Sequence, residues 1–208
     1  MELIIARHGE TVSNNKDLLQ GHLPGELNET GLLQAKALAD AFRDDPIDVI
    51  VSSDLKRGSD TACEINRFHN VPLILDEDAR ERCFGIYEGT SRSDFYGTER
   101  ALDEPHAHRP PGGESFEDLY ARADRLLKNI VRRYTGKTVL LVAHGDLARM
   151  SIGILTGKTV PAACAIRQAN ACINRFLIDE NSFEATCLSF NSTDHLPEDL
   201  KSRNRSDL

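Results

Sequence analysis

Two histidines stand in matching settings, His8 after the apolar run of "LIIARHGET" and His144 after that of "VLLVAHGDLARM". Each is followed by a glycine, Gly9 or Gly145, and two arginines are candidates to join them: Arg7 next to His8, and Arg57 in "VSSDLKRGSD". An imidazole with an ordinary pKa of about 6.5 is largely neutral at pH 7, so its free lone pair can act without a separate activating base. A backbone carbonyl on the other ring nitrogen would fix the tautomer. Guanidinium groups present a planar fork of donors matched to phosphate oxygens. Backbone N–H groups after Gly9 and Gly145 would add donors, particularly if Gly145 opens a helix whose N-terminal end favours negative charge. The equatorial oxygens of an in-line phosphoryl transfer would then be neutralised by the arginines and a protonated His144, with no metal and no cofactor required. A P-loop is absent, because GxxxxGK[ST] does not occur.

These residues lie far apart in sequence, so secondary structure must bring them together. "ELIIA" (2–6), "DVIVSS" (48–53) and "TVLLVA" (138–143) read as short aliphatic strands followed by helical segments. The segment 30–42 places Leu32, Ala35, Leu38, Ala39 and Phe42 on one helical face, and 54–68 and 115–134 repeat with the same period. The expected fold is α/β, a mostly parallel sheet flanked by helices. Ligands of such sheets collect beyond the carboxyl ends of the strands, where His8, Ser52, Ser53 and His144 fall. Residues 87–113 break the regularity and read as an insertion or lid, weakly helical over 93–102, whose Arg92, Arg100 and Arg109 would set substrate preference. "ACINRFLI" and "EATCLSF" predict an antiparallel strand pair that finishes the sheet, and 201–208 a frayed tail. Ser115 reads as an N-cap with Asp118 as an imperfect capping-box partner.

The chain of 208 residues, 40% hydrophobic, is expected to form a single domain over 1–208. Acidic residues outnumber basic ones 33 to 25, giving a net charge of −8, which argues against nucleic acid or an anionic membrane as partner. The anion must be drawn in by a local cluster instead. Five cysteines without a CxxC pair fit reduced thiols in a cytoplasmic protein, and neither a signal peptide nor a membrane span is evident. His106 and His108 have the look of a metal pair, yet ahead of "RPPGG" they read as a polar loop. The late strands could leave an edge for pairing, so a dimer is compatible with the sequence while the oligomeric state stays open.

"RHGET" with Asn14 beyond it, "SSDLKRGSDTA", "RERCFGIYEG", "PPGGESF" and "VAHGDLAR" occur in the order seen in the histidine phosphatase superfamily, and over 3–152 the chain resembles its phosphoglycerate-mutase-like branch. The resemblance implies that His8 becomes a phosphohistidine, that Arg7, Arg57 and His144 bind the phosphoryl group, and that Glu81 is the proton donor. Asn14, Gln20, Gly21, Arg82 and Gly145 fall where relatives touch phosphate or substrate. Glu81 carries a tension: Arg80 and Arg82 flank it and would hold it ionised unless they point away. Glu10 and Glu88 are alternatives to it. The expected function is a metal-independent phosphomonoesterase acting on small phosphorylated metabolites. The alternative is a 2,3-bisphosphoglycerate-dependent phosphoglycerate mutase, although the mutases it resembles carry a longer segment between the Glu81 and Glu114 positions. A non-catalytic phosphate-binding regulatory protein and a metal hydrolase using His8, His144 and His106 stand further off.

Overall fold

A computed structural model describes residues 1–201; of the tail expected over 201–208, all but Lys201 lies outside the described residues. Six strands form one sheet in the order β3-β2-β4-β1-β5-β6. They are β1 (Glu2–Arg7), β2 (Val49–Ser53), β3 (Leu73–Asp76), β4 (Thr138–Ala143), β5 (Ile173–Ile178) and β6 (Ala185–Ser192). The first four run parallel, while β5 pairs antiparallel with β1 and β6 antiparallel with β5. The helices are α1 (Val12–Asn15), α2 (Glu29–Phe42), α3 (Lys56–Asn66), α4 (Arg92–Arg100), α5 (Phe116–Arg133), α6 (Gly145–Leu155) and α7 (Val160–Cys164). The short strand β3, at the parallel edge and only half-buried, was not anticipated from sequence.

The central strands are apolar on both faces because each face carries its own core. Leu3, Ile5, Val139 and Leu141 point into one core with α5, α6 and α7; Ile4, Ala6, Leu140 and Val142 point into the other with α2 and α3. Helix α2, between β1 and β2, therefore covers the opposite face from α6, the helix after β4. Since β1 and β4 are neighbours, a crevice opens beyond their carboxyl ends, the switch point where such sheets bind ligands.

The reading of α2 needs a correction: Leu32 is 51% exposed, and Gly31 and Gln34 take part in the buried face instead. Polar contacts to the loop after β1 outweigh hydrophobicity there. Gln34 Oε1 accepts from the Glu10 backbone N–H at 2.7 Å, and its Nε2 donates to the Leu200 carbonyl. A Cβ on Gly31 would lie 2.0 Å from the Glu10 carbonyl oxygen, so only glycine lets the loop press so close. At α5 the capping box is complete, Ser115 and Asp118 exchanging side-chain-to-backbone hydrogen bonds in both directions.

Candidate active site

His8 leaves the end of β1 with its backbone N–H bonded to the Ala143 carbonyl, which brings it beside His144 at the end of β4. The ring centroids are 5.0 Å apart. His8 Nδ1 lies 2.6 Å from the Gly9 carbonyl oxygen, so Nδ1 carries the proton and Nε2 keeps the lone pair. Burial, then the charges of Arg57 and Arg7, hold the His8 imidazole well below its usual pKa and keep it neutral. The backbone carbonyl of His8 accepts in turn from the Ala171 N–H and Asn170 Nδ2.

His144 caps α6 and is fully buried. Arg57 Nε donates to its Nδ1 at 3.1 Å, which leaves the His144 proton on Nε2, an atom with no partner among the described residues. The expectation of a protonated His144 is corrected here. Burial, with Arg57, His8 and Arg7 close by, keeps this ring neutral, so it offers one N–H in place of a full charge.

Arg57 projects from the first turn of α3 back across the sheet edge. Besides His144, it reaches the carbonyls of Gly21 at 2.7 Å and Leu23 at 3.4 Å, joining three segments. Burial lowers it to about 10, which leaves it cationic at neutral pH. Arg7 donates to the Gln168 carbonyl at 2.6 Å, and its Nε has no partner among the described residues. Gly145 lies beside this guanidinium, where a Cβ would make ordinary van der Waals contact with Arg7 Cζ at 3.4 Å.

Glu81 arrives from the loop after β3 and docks on the N-terminus of α6. Its Oε1 accepts from the backbone N–H groups of Asp146 (3.0 Å), Leu147 (3.3 Å) and Arg82 (3.0 Å). Despite these donors, burial and then the neighbouring Asp146 charge raise its carboxyl above the ordinary range. The flanking arginines do point away. Arg80 forks onto Asp54, and Arg82 onto Glu99 at 2.6 and 3.1 Å.

Of the residues expected to touch substrate, Arg82 and His144 are fully buried and off the cavity lining, His144 beside His8 and Arg82 turned elsewhere. Arg82 is held in its ion pair and in a 2.8 Å bond to the Glu114 carbonyl. The charge of Glu99, unremarkable in the sequence, is what claims it. Asn14, Gln20, Gly21 and Gly145 do line a cavity of about 840 Å³ together with Arg7, His8, Arg57 and Glu81. Asn14 Oδ1 accepts from the Thr11 N–H and Asn170 Nδ2, while Gln20 Nε2 is buried without a partner among the described residues. Glu10 also lines the cavity but is tied to Asn28. Glu88 accepts from the N–H groups of His22 and Phe84 and secures the loop.

Helix α4, within the expected insertion, lends Arg92, Tyr96 and Arg100 to the cavity wall. Arg109 instead pairs with Asp118 at the surface. His106 and His108 turn to separate carboxylates, Glu117 and Glu99. Among the described residues no three His, Cys, Asp or Glu side chains gather to hold a metal.

Several residues of the site escaped the sequence reading. Arg122 of α5 donates to the carbonyls of Asp78, Arg80 and Glu81 and grips Glu114, so it fixes the loop that presents Glu81. Only its helical position was legible. Gln168 and Asn170 belong to "RQAN", which carries no motif, whereas Asp146 and Arg149 were in view within "VAHGDLAR" without an assigned role.

The family model described as histidine phosphatase superfamily (branch 1) matches residues 3–191, well past the segment whose motifs carry the resemblance. A metal-independent phosphoserine phosphatase of Arabidopsis thaliana is 34% identical over 186 residues, covering 83% of this chain and 74% of that one. The structure of Bacillus stearothermophilus YhfR matches with a TM-score of 0.85 at 25% identity, over 93% of this chain and 98% of that one. A phosphoserine phosphatase of Entamoeba histolytica, solved with 3-phosphoglyceric acid, matches at 0.81 and 27% identity, over 94% and 99%.

Proposed function

The chain belongs to the histidine phosphatase superfamily, branch 1, and from that premise we propose that it is a phosphomonoesterase working through a phosphohistidine on His8. The carrying observation is the His8 hydrogen bond to the Gly9 carbonyl, which leaves Nε2 unprotonated among Arg7, Arg57 and His144. Nε2 attacks phosphorus, the N–P bond forms and the P–O bond to the alcohol breaks. Glu81 gives its proton to the departing oxygen, a role worth roughly 100- to 10,000-fold. Water then attacks phosphorus, returns a proton to Glu81 and releases phosphate as the N–P bond breaks. Arg7, Arg57 and the His144 Nε2–H stabilise the equatorial oxygens, with Asn14 and Gln20 as further donors.

The relatives named phosphoserine phosphatase support a small phosphate ester of an aliphatic alcohol as substrate. The five free thiols support a cytoplasmic setting, and no helix among the described residues is long and apolar enough to cross a membrane.

The test is a panel of phosphate esters given to wild type and His8→Ala, with and without a phosphoglycerate acceptor. Wild type is expected to release inorganic phosphate and to yield an acid-labile phosphoenzyme on quenching into alkali. His8→Ala is expected to lose about a thousandfold or more in turnover. Isomerised phosphoglycerate with little free phosphate would assign the chain to the mutases, and full turnover by His8→Ala would remove the nucleophile. Because arginines supply the positive charge, excess chelator is expected to leave turnover unchanged.

A further inference from the structure

A general acid must hold a proton at working pH, yet Glu81 is set among groups that favour its loss. Arg7 from β1 and Arg57 from α3 carry positive charge toward it. Three backbone N–H groups, from Arg82, Asp146 and Leu147, donate to its carboxylate. His8 and His144 are neutral, while His22 and Arg122 both bond the Glu81 carbonyl. Burial opposes these cations and dipoles first, and a neighbouring charge adds to it.

The charged group stands on the same first turn of α6. Asp146 gives its N–H to both oxygens of Glu81, at 3.0 and 3.3 Å, and its own side chain is buried and engaged elsewhere. Tyr96 from α4 donates its hydroxyl to Asp146 Oδ2 at 2.8 Å, and Arg149, one turn on, pairs with Oδ1 at 2.9 Å. Burial works to protonate Asp146, but Arg149, Arg82 and the Tyr96 hydroxyl outweigh it and hold the group ionised. Arg92 of α4 adds to the same effect. Burial also keeps Tyr96 a phenol, hence a donor.

We propose that Asp146 is a positioning residue for catalysis: a fixed anion, anchored by Tyr96 and Arg149, that keeps the proton on Glu81 in the free enzyme. Two like charges at one buried helix end cannot both form cheaply, so the proton goes to the carboxyl without a cation pair. Tyr96 makes the device depend on α4. From the cavity wall its hydroxyl fixes the anion, and the acid is ready for a leaving group as poor as an alkoxide. This inference rests on the reading of Glu81 as proton donor.

The test compares kcat/KM against pH for an alkyl phosphate, glycerol phosphate, and for 2,4-dinitrophenyl phosphate, whose leaving group needs no proton. The second ionisation of the substrate is common to every variant and cancels. In wild type the alkyl ester is expected to lose rate on the alkaline side as Glu81 ionises, and E81Q is expected to abolish that limb with a heavy loss on the alkyl ester alone. D146N is expected to move the limb toward acid by about one unit, so that above it the alkyl-to-aryl ratio of kcat/KM drops about tenfold. D146E, which keeps the charge, is expected to bring the limb back toward the wild-type position. If D146N does not fold by circular dichroism, Y96F replaces it, with a smaller shift in the same direction. An alkaline limb that stays in place in the folded variant overturns the role of Asp146. If E81Q leaves the limb and the alkyl rate untouched, the reading of Glu81 itself fails, and that result is distinct from the first.

Discussion

At the residue scale, the site works by assigning protons. Each histidine has one ring nitrogen committed, His8 Nδ1 to a carbonyl that accepts and His144 Nδ1 to a guanidinium that donates, so the two Nε2 atoms have opposite character. One is a lone pair suited to attack, the other an N–H suited to bind oxygen. Arg57 enforces the second half of this arrangement. Arg57→Lys preserves charge but cannot reach His144 and Gly21 at once through a planar fork. It is expected to lower kcat/KM by about 100-fold, the usual loss for removing one oriented donor, with thermal stability checked in parallel. A loss under threefold in steady-state assays would mean that charge alone suffices.

At the element scale, the chain positions chemistry by tying loops to helix ends and helices to buried ions. The N-terminus of α6 holds Glu81, and Arg122 on α5 holds the loop that carries it. Helix α4 is fastened by the ion pair of Glu99 with Arg82 and by Phe95 and Tyr96, which both pack on Phe84. Arg82→Met would take the guanidinium from the Glu99 carboxyl in a site where both partners are almost fully buried, leaving His108 beside it. Its expected cost is about 3–5 kcal/mol, read from the urea midpoint at constant m. A shift below about 1 kcal/mol would show that Glu99 finds another partner or a proton at little cost.

At the scale of the whole molecule, burying neutral histidines makes stability depend on pH. His8 and His144 have folded pKa values depressed well below 6.5, whereas in the unfolded chain both titrate near that value. Unfolding therefore takes up protons once the pH falls below about 6.5, at a slope of about 1.4 kcal/mol per pH unit for each group. Their stabilising contribution is full above that pH and is lost as acid is added. Glu81 acts in the opposite sense, because a raised carboxyl favours the folded chain in acid and loses that advantage as pH rises from its ordinary value. Urea midpoints between pH 5 and 7.5 are expected to fall toward acid, and His144→Asn to flatten the slope. An equal slope in that variant would mean that His144 takes up no protons on unfolding.

The sequence by itself determined the strands that end in His8 and His144, the helices that cover them, the antiparallel pair that closes the sheet, and the types of residue at the crevice. Those features are local: apolar period, cap and turn residues, and motif order are written in neighbouring positions. Tertiary structure alone decided which cation serves which anion. Arg82 went to Glu99, Arg80 to Asp54, Arg122 to the backbone that carries Glu81, and Leu32 yielded its place to Gln34. The shifts of His144 downward and of Glu81 upward arise in the same way, from burial and from charges brought together from distant segments. A charge interacts through space with an energy set by distance and dielectric, and neither quantity exists along a linear chain until the fold has closed.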